Sequence, residues 1–339
     1  YAVAVNSATS ALHIACLSLG LGKGDILWTS PITFVASANC ALYCGASVDF
    51  VDIDPVTALM SVEKLKEKLE WAEKKNKLPK IIIPIHFSGQ SCNMEEFYAL
   101  SQKYGFRIIE DASHAIGAKY KSDPVGNCKY SDITIFSFHP VKTITSGEGG
   151  MAVTNNKHLA RKMGLLRSHG ITRDDDLMTK KPDGLWYYEQ VDLGFNYRMT
   201  DIQAALGISQ LDRIDEFVVR RRELVHRYNK LFSEFPLTIP WQHSYAHSAF
   251  HLYVIRLKLD KIKKTRREVF ELLRKNEIGV NVHYIPVHTQ PYYRRLGFSY
   301  GQFPEAEKYY EEAITIPLYP SMSENEQDYV VETLRDVLS

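Results

Sequence analysis

Short apolar runs alternate with stretches of helical spacing through the first half of the chain. Ala2–Val5, Ile26–Thr29, Val48–Asp52, Ile81–His86 and Phe106–Glu110 are apolar runs of strand length. Between them, Ala8–Leu19, Phe34–Tyr43, Ser61–Lys77 and Met94–Tyr104 place apolar residues three or four apart, as amphipathic helices do. Strands apolar on both sides are covered on both sides, so the alternation predicts an α/β fold with a mainly parallel sheet flanked by helices. Ligands of such sheets bind at the carboxyl ends of the strands. One more buried-looking strand, Asp132–His139, opens into a turn rich in small residues, Thr143–Gly150.

The pattern changes after Met199. Thr200 and Asp201 can cap a helix that runs through Ile214 and, past a break, towards Phe232. Phe235–Trp241, with two prolines, reads as a linker. Beyond it the spacing predicts a strand at Ala249–Leu257, a helix at Thr265–Lys275, a strand at Gly279–Tyr284 and a closing helix at Glu324–Val337. The expected organisation is a large domain at 1–234, ending in the long connecting helix, and a smaller α+β domain at 235–339.

Composition narrows the function classes. The 339 residues are 45% hydrophobic, enough for a substantial core, which argues against extended disorder. Basic and acidic residues number 41 and 40, so no positive surplus points to nucleic acid. Mixed-sign runs such as Glu63–Glu70 read as solvated helix faces. Five scattered cysteines suggest reduced thiols and a cytosolic setting. No apolar run is long enough for a transmembrane helix. Tyr1 opens abruptly on a strand, so a preceding segment is expected.

Candidate chemistry collects at the strand ends. Asn6-Ser-Ala-Thr-Ser10 joins the first strand to the first helix; free N–H groups at a helix start, with hydroxyls nearby, suit phosphate as well as an ordinary N-cap. Ile108-Ile-Glu-Asp-Ala-Ser-His114 ends an apolar strand in a carboxylate that can hold a protonated ring nitrogen, or simply cap a turn. His114, three residues on, can bond a phenolic oxygen. Ser137 can donate to a phosphate or be satisfied within the sheet, and Phe34 can stack on a flat ring although in isolation it reads as a core aromatic. Lys142 follows the Asp132–His139 strand amid small residues; read alone it is a solvated charge, but together with these residues an amine so placed suits covalent capture of an aldehyde cofactor such as pyridoxal phosphate. His283 and His288 lack the spacing of a closed ligand set, so no metal is expected.

Asn6–Ala11, Pro31–Ala36, Glu110–Ala115, Ser137-Phe-His-Pro-Val-Lys142, Gly147–Gly150 and Gly194-Phe-Asn-Tyr-Arg-Met199 follow one another as in the DegT/DnrJ/StrS nucleotide-sugar aminotransferases, which the whole chain resembles. Arg167–Thr172, Trp186–Glu189 and Val280–His288 are similar to the pseudaminic acid branch of that family. The resemblance implies an aspartate-aminotransferase-like fold of type I and pyridoxal 5'-phosphate as cofactor. It implies L-glutamate as amino donor and a UDP-linked 4-keto-6-deoxy sugar as acceptor.

The resemblance also implies residue roles. Lys142 binds the cofactor covalently and, once freed, carries the proton between sugar C-4 and the cofactor. Asp111 pairs with the ring nitrogen, His114 bonds near the phenolic oxygen and Phe34 covers the ring. Ala8, Thr9 and Ser137 hold the phosphate. Asn196 reaches the phosphate of a neighbouring subunit in a homodimer. Tyr284 and His288 line the sugar-nucleotide pocket. Sugar dehydratases of the same fold carry histidine in place of the lysine, so Lys142 argues against that activity. A non-catalytic descendant is expected to have lost the lysine or the carboxylate, and both are present.

Overall fold

The computed structural model describes all 339 residues. Its centre is a seven-stranded sheet built from β1 (Ala2–Val5), β2 (Ile26–Thr29), β3 (Ser47–Phe50), β4 (Ile81–Ile83), β5 (Arg107–Asp111), β6 (Ile133–Ser137) and β7 (Gly150–Val153). The spatial order is β1-β7-β6-β5-β4-β2-β3. The pairs β2/β3, β2/β4, β4/β5 and β5/β6 are parallel, and β7 alone runs against its neighbours β1 and β6. This is the expected α/β sheet. Ile81–Ile83 and Ile133–Ser137 are buried throughout, which is why they read as unbroken apolar runs.

Helices α1 (Ala8–Ser18), α2 (Ala36–Tyr43) and α5 (Lys157–Arg167) form one packed group against the sheet, while α3 (Val62–Lys74) and α4 (Met94–Tyr104) form another. The amphipathic α3 buries Leu65, Leu69 and Ala72 and leaves its charged face to water, as its sequence requires. β7 and α5 were not expected. Gly150 begins a strand within what reads as a small-residue turn, because β1 and β6 leave a gap that an antiparallel strand closes.

After α6 (Asp201–Leu211), α7 (Ile214–Leu231) leads to a smaller sheet of β8 (Leu237–Thr238), β9 (Tyr253–Leu257) and β10 (Ala313–Ile316). Helices α8 (Arg266–Lys275) and α11 (Glu324–Leu338) pack there, with the short α9 (Pro291–Arg295) and α10 (Pro304–Glu312) between them in sequence. Two expectations need correction. Leu237–Thr238, inside the supposed linker, pairs with β9. Gly279–Tyr284 is not a strand: only Asn281 bridges to Thr315, His283 Nδ1 lies 2.8 Å from Thr315 Oγ1, and Tyr284 turns into a cleft. The strand beside β9 is β10, whose pattern went unread. The main core surrounds the large sheet, and a second core takes in Leu224, Val225 and Tyr228 of α7 and Phe232 just after it, ahead of residue 235.

Candidate active site

A cleft of about 900 Å³, open mouth included, lies at the carboxyl ends of β5 and β6 and the start of α1. Ala8, Thr9, Phe34, Asp111, His114, Ser137, Lys142 and Tyr284 all line it, although they come from segments scattered between residues 8 and 284. The parallel sheet brings them together, because every parallel strand ends on the same edge.

The start of α1 forms one wall. The side chain of Ser7 accepts from the Ser10 N–H at 3.1 Å and caps the helix. A helix gives its first N–H groups no internal acceptor, so those of Ala8 and Thr9 are available to an anion in the cleft. The close fit of β7 keeps this wall in place. A Cβ on Gly150 would lie 2.5 Å from the Ala8 nitrogen, so only glycine permits the approach.

The opposite feature is charge. Asp111, the last residue of β5, is buried. Its Oδ2 accepts from Ser37 Oγ at 2.6 Å and its Oδ1 from the Ser113 N–H at 3.0 Å. Beneath it, Glu110 faces away into its own buried network with His86 (2.7 Å) and Thr134 (3.0 Å). Because His86 Nδ1 accepts from the Cys92 N–H, its proton sits on Nε2, and we read this pair as neutral imidazole beside carboxylate. Consecutive carboxylates therefore serve opposite sides of the strand.

Lys142 is half-buried. Burial lowers its pKa to about 8, while the Asp111 carboxylate pulls it back up. About a tenth of the amine is thus uncharged at pH 7, far more than for an ordinary lysine, and the uncharged form is what a nucleophile needs. Burial, and then the Lys142 ammonium, push His114 and His251 well below the usual histidine range and His283 down to about 4. Lys142 accordingly faces neutral imidazoles rather than competing cations.

His114 departs from expectation in its bonding. Its Nδ1 accepts from the Ser88 N–H at 3.3 Å, so Nε2 carries the proton and donates to Tyr284 Oη at 3.1 Å. Both ring nitrogens are committed to protein, and a bond to a ligand's phenolic oxygen requires giving one up. Phe34 leaves 60% of its surface exposed at the cleft, a costly position for a core aromatic and a natural one for a ring cover.

Two expected residues lie elsewhere. His288 is fully buried, with Nε2 3.0 Å from Glu307 Oε1 and its ring against Phe303, so it does not reach the cleft. Asn196 is exposed and bridges to Ser168, outside the cleft of its own chain. Sequence reasoning also missed Ser37. A helical serine 74 positions from its carboxylate gives no local signal.

The residues present fit pyridoxal phosphate. A strand-end carboxylate suits the ring nitrogen, free helix N–H groups suit the phosphate, and an amine of lowered pKa suits the aldehyde. Fold and cleft together define a fold type I pyridoxal-phosphate enzyme. The family model of the DegT/DnrJ/EryC1/StrS aminotransferases matches residues 1–335, and the chain belongs to that family. It is 39% identical over 341 residues to the spore coat polysaccharide biosynthesis protein SpsC of Bacillus subtilis, covering 100% of this chain and 85% of that one. It is also 39% identical over 340 residues to the UDP-4-amino-4,6-dideoxy-N-acetyl-beta-L-altrosamine transaminase of Campylobacter jejuni, with the same coverage. The PLP form of the putative sugar aminotransferase Spr1654 from Streptococcus pneumoniae superposes with a TM-score of 0.86 at 30% identity, over 99% of this chain and 86% of that one. The protein is thus a pyridoxal-phosphate-dependent sugar aminotransferase.

Proposed function

We propose that this enzyme aminates C-4 of a UDP-linked 4-keto-6-deoxy-N-acetylhexosamine. L-glutamate is the donor and UDP-4-amino-4,6-dideoxy-N-acetyl-β-L-altrosamine the product, on the route to pseudaminic acid. The observation that carries the chemistry is the meeting of Lys142, Asp111 and the α1 N-terminus in one cleft. The substrate rests on the branch-like segments Arg167–Thr172, Trp186–Glu189 and Val280–His288, and on the Campylobacter relative.

Bound pyridoxal phosphate supplies an aldehyde that carries the amino group and a ring that accepts electron density. The chain's residues do the rest. Lys142 presents an uncharged amine, binds the cofactor, and, when released, moves the proton at the reacting carbon. Asp111 faces the ring nitrogen and accepts from it. The N–H groups of Ala8 and Thr9, with Ser137, hold the phosphate. Phe34 covers one ring face and excludes water, while Tyr284, oriented by His114, faces the sugar. Asn196 serves the cleft of a second copy, which its exposed place outside its own cleft supports.

The decisive experiment supplies glutamate and each of the two epimeric UDP-4-keto-6-deoxy-HexNAc sugars. Amination of the L-arabino ketone alone is expected. A second reading, C-4 amination of a different nucleotide-linked keto sugar, is favoured by the equal identity to SpsC. Turnover of neither ketone, with cofactor bound, would sink the first reading and leave the second.

A further inference from the structure

We infer that Ser37 is a positioning residue that fixes the Asp111 carboxylate for the cofactor's ring nitrogen, with Thr33 steadying Ser37 in turn; this rests on the role proposed above for Asp111. Asp111 has two anchors of different kinds. The Ser113 N–H lies two residues on and moves with the strand end itself. Ser37 belongs to the first turn of α2 and donates across the cleft wall at 2.6 Å. It therefore ties the carboxylate to the segment that also carries Phe34.

The direction of the bonds follows from proton counting. An ionised carboxylate only accepts, so the single Ser37 hydroxyl proton is spent on Oδ2. Thr33 Oγ1, 3.1 Å from Ser37 Oγ, must then be the donor to Ser37. The chain runs Thr33 to Ser37 to Asp111, and its hydroxyls are at most 3% exposed, so water does not compete. In such surroundings successive hydrogen bonds reinforce one another, and charge-assisted ones are the strongest. Ser37 also has no proton left for a phosphate or a sugar, although it lines the cleft. Its hydroxyl acts on Asp111 or on nothing. One anchor on each oxygen fixes the carboxylate plane and leaves a lone pair on each for the ring N–H.

The test compares Ser37→Ala, Ser37→Thr, Thr33→Val and Asp111→Ala by three readouts. These are the affinity of the cofactor-free chain for pyridoxal phosphate, the pH titration of the bound cofactor's absorbance, and kcat against KM. Ser37→Ala should lower kcat roughly ten- to a hundredfold, as loss of a charge-assisted bond does, with KM for the sugar little changed. The absorbance titration should move with it, and Ser37→Thr should restore both. Wild-type values in Ser37→Ala, or a threonine variant as impaired as the alanine one, overturn the inference. Should Ser37→Ala fail to fold, Thr33→Val decides: a loss of about two- to fivefold in kcat is expected, and none overturns it. Full activity in Asp111→Ala would instead remove the underlying role of Asp111. An inactive Asp111→Ala beside an unaffected Ser37→Ala removes only that of Ser37.

Discussion

Helices α1 and α6 are both 11 residues long and apolar around most of their circumference, yet α1 buries eight of its residues and α6 none. α1 is wedged between the sheet, α2 and α5, and Ile14 and Ala15 have no exposed surface. α6 leaves Ile202 84% and Ile208 64% exposed, and it contributes to neither core. Nearby in sequence, Leu185, Trp186 and Leu193 are also exposed. Large apolar side chains left to water in this number commonly mark an interaction surface. One helix is finished within the chain; the other is left bare, and we propose that a second copy covers it. The unfinished region also touches the working one, since a Cβ on Gly207 of α6 would meet Ser146, on the loop after Lys142, at 3.5 Å.

Five experiments sharpen or break this contrast. The largest effect belongs to the finished region. Lys142→Ala should lower transamination roughly a thousandfold or more and abolish the visible absorbance of lysine-bound cofactor. An unaltered spectrum would remove the lysine from its role.

Next comes packing. Ile14→Ala on α1 should cost about 2–5 kcal/mol in denaturant unfolding, whereas Ile202→Ala should leave the stability of the isolated chain within about 0.5 kcal/mol. Equal costs at the two sites would erase the comparison. A paired Ile202→Asp and Leu206→Asp change should instead shift sedimentation from dimer to monomer at micromolar concentration, by at least about tenfold in the dissociation constant. A variant that stays dimeric puts the contact surface elsewhere.

Complementation gives a smaller signal with higher resolution. Lys142→Ala and Asn196→Ala chains mixed into hybrid dimers should recover activity that neither homodimer has, because one cleft then receives both native residues. No recovery would place Asn196 outside the neighbour's cleft.

The smallest effect is in pH. The uncharged fraction of Lys142 rises as pH rises through about 8, so capture of pyridoxal phosphate by the cofactor-free chain should accelerate through that value and then level off. Asp111 raises the Lys142 pKa, so Asp111→Asn should move the midpoint lower. A midpoint near the ordinary lysine value of about 10.4 would remove the argument from burial.

Much of the site was legible in advance, since a parallel sheet makes strand-end residues neighbours. Asp111 and Ser137 end apolar strands, Lys142 follows one, and Ala8 and Thr9 open a helix, so local pattern sufficed to nominate them. His288 did not follow, because His283, Tyr284 and His288 lie within six positions but face different surroundings. Gly279–Tyr284 carries strand-like residues, yet its backbone finds one bridge rather than a ladder. Ser37 gave no signal, as nothing near it in sequence indicates a carboxylate 74 positions on.

The order of apolar runs and helical spacings, with the residues at their ends, determined the α/β sheet, the helix start that faces the cleft and the lysine beyond a strand end. Those properties depend on neighbours along the chain, where periodicity and capping operate. Tertiary structure alone decided which of two equally apolar helices is buried, which histidine faces the cleft, and that a serine on α2 holds the Asp111 carboxylate. Burial and hydrogen bonding act through space, and residues far apart in sequence meet only once the sheet has closed around them.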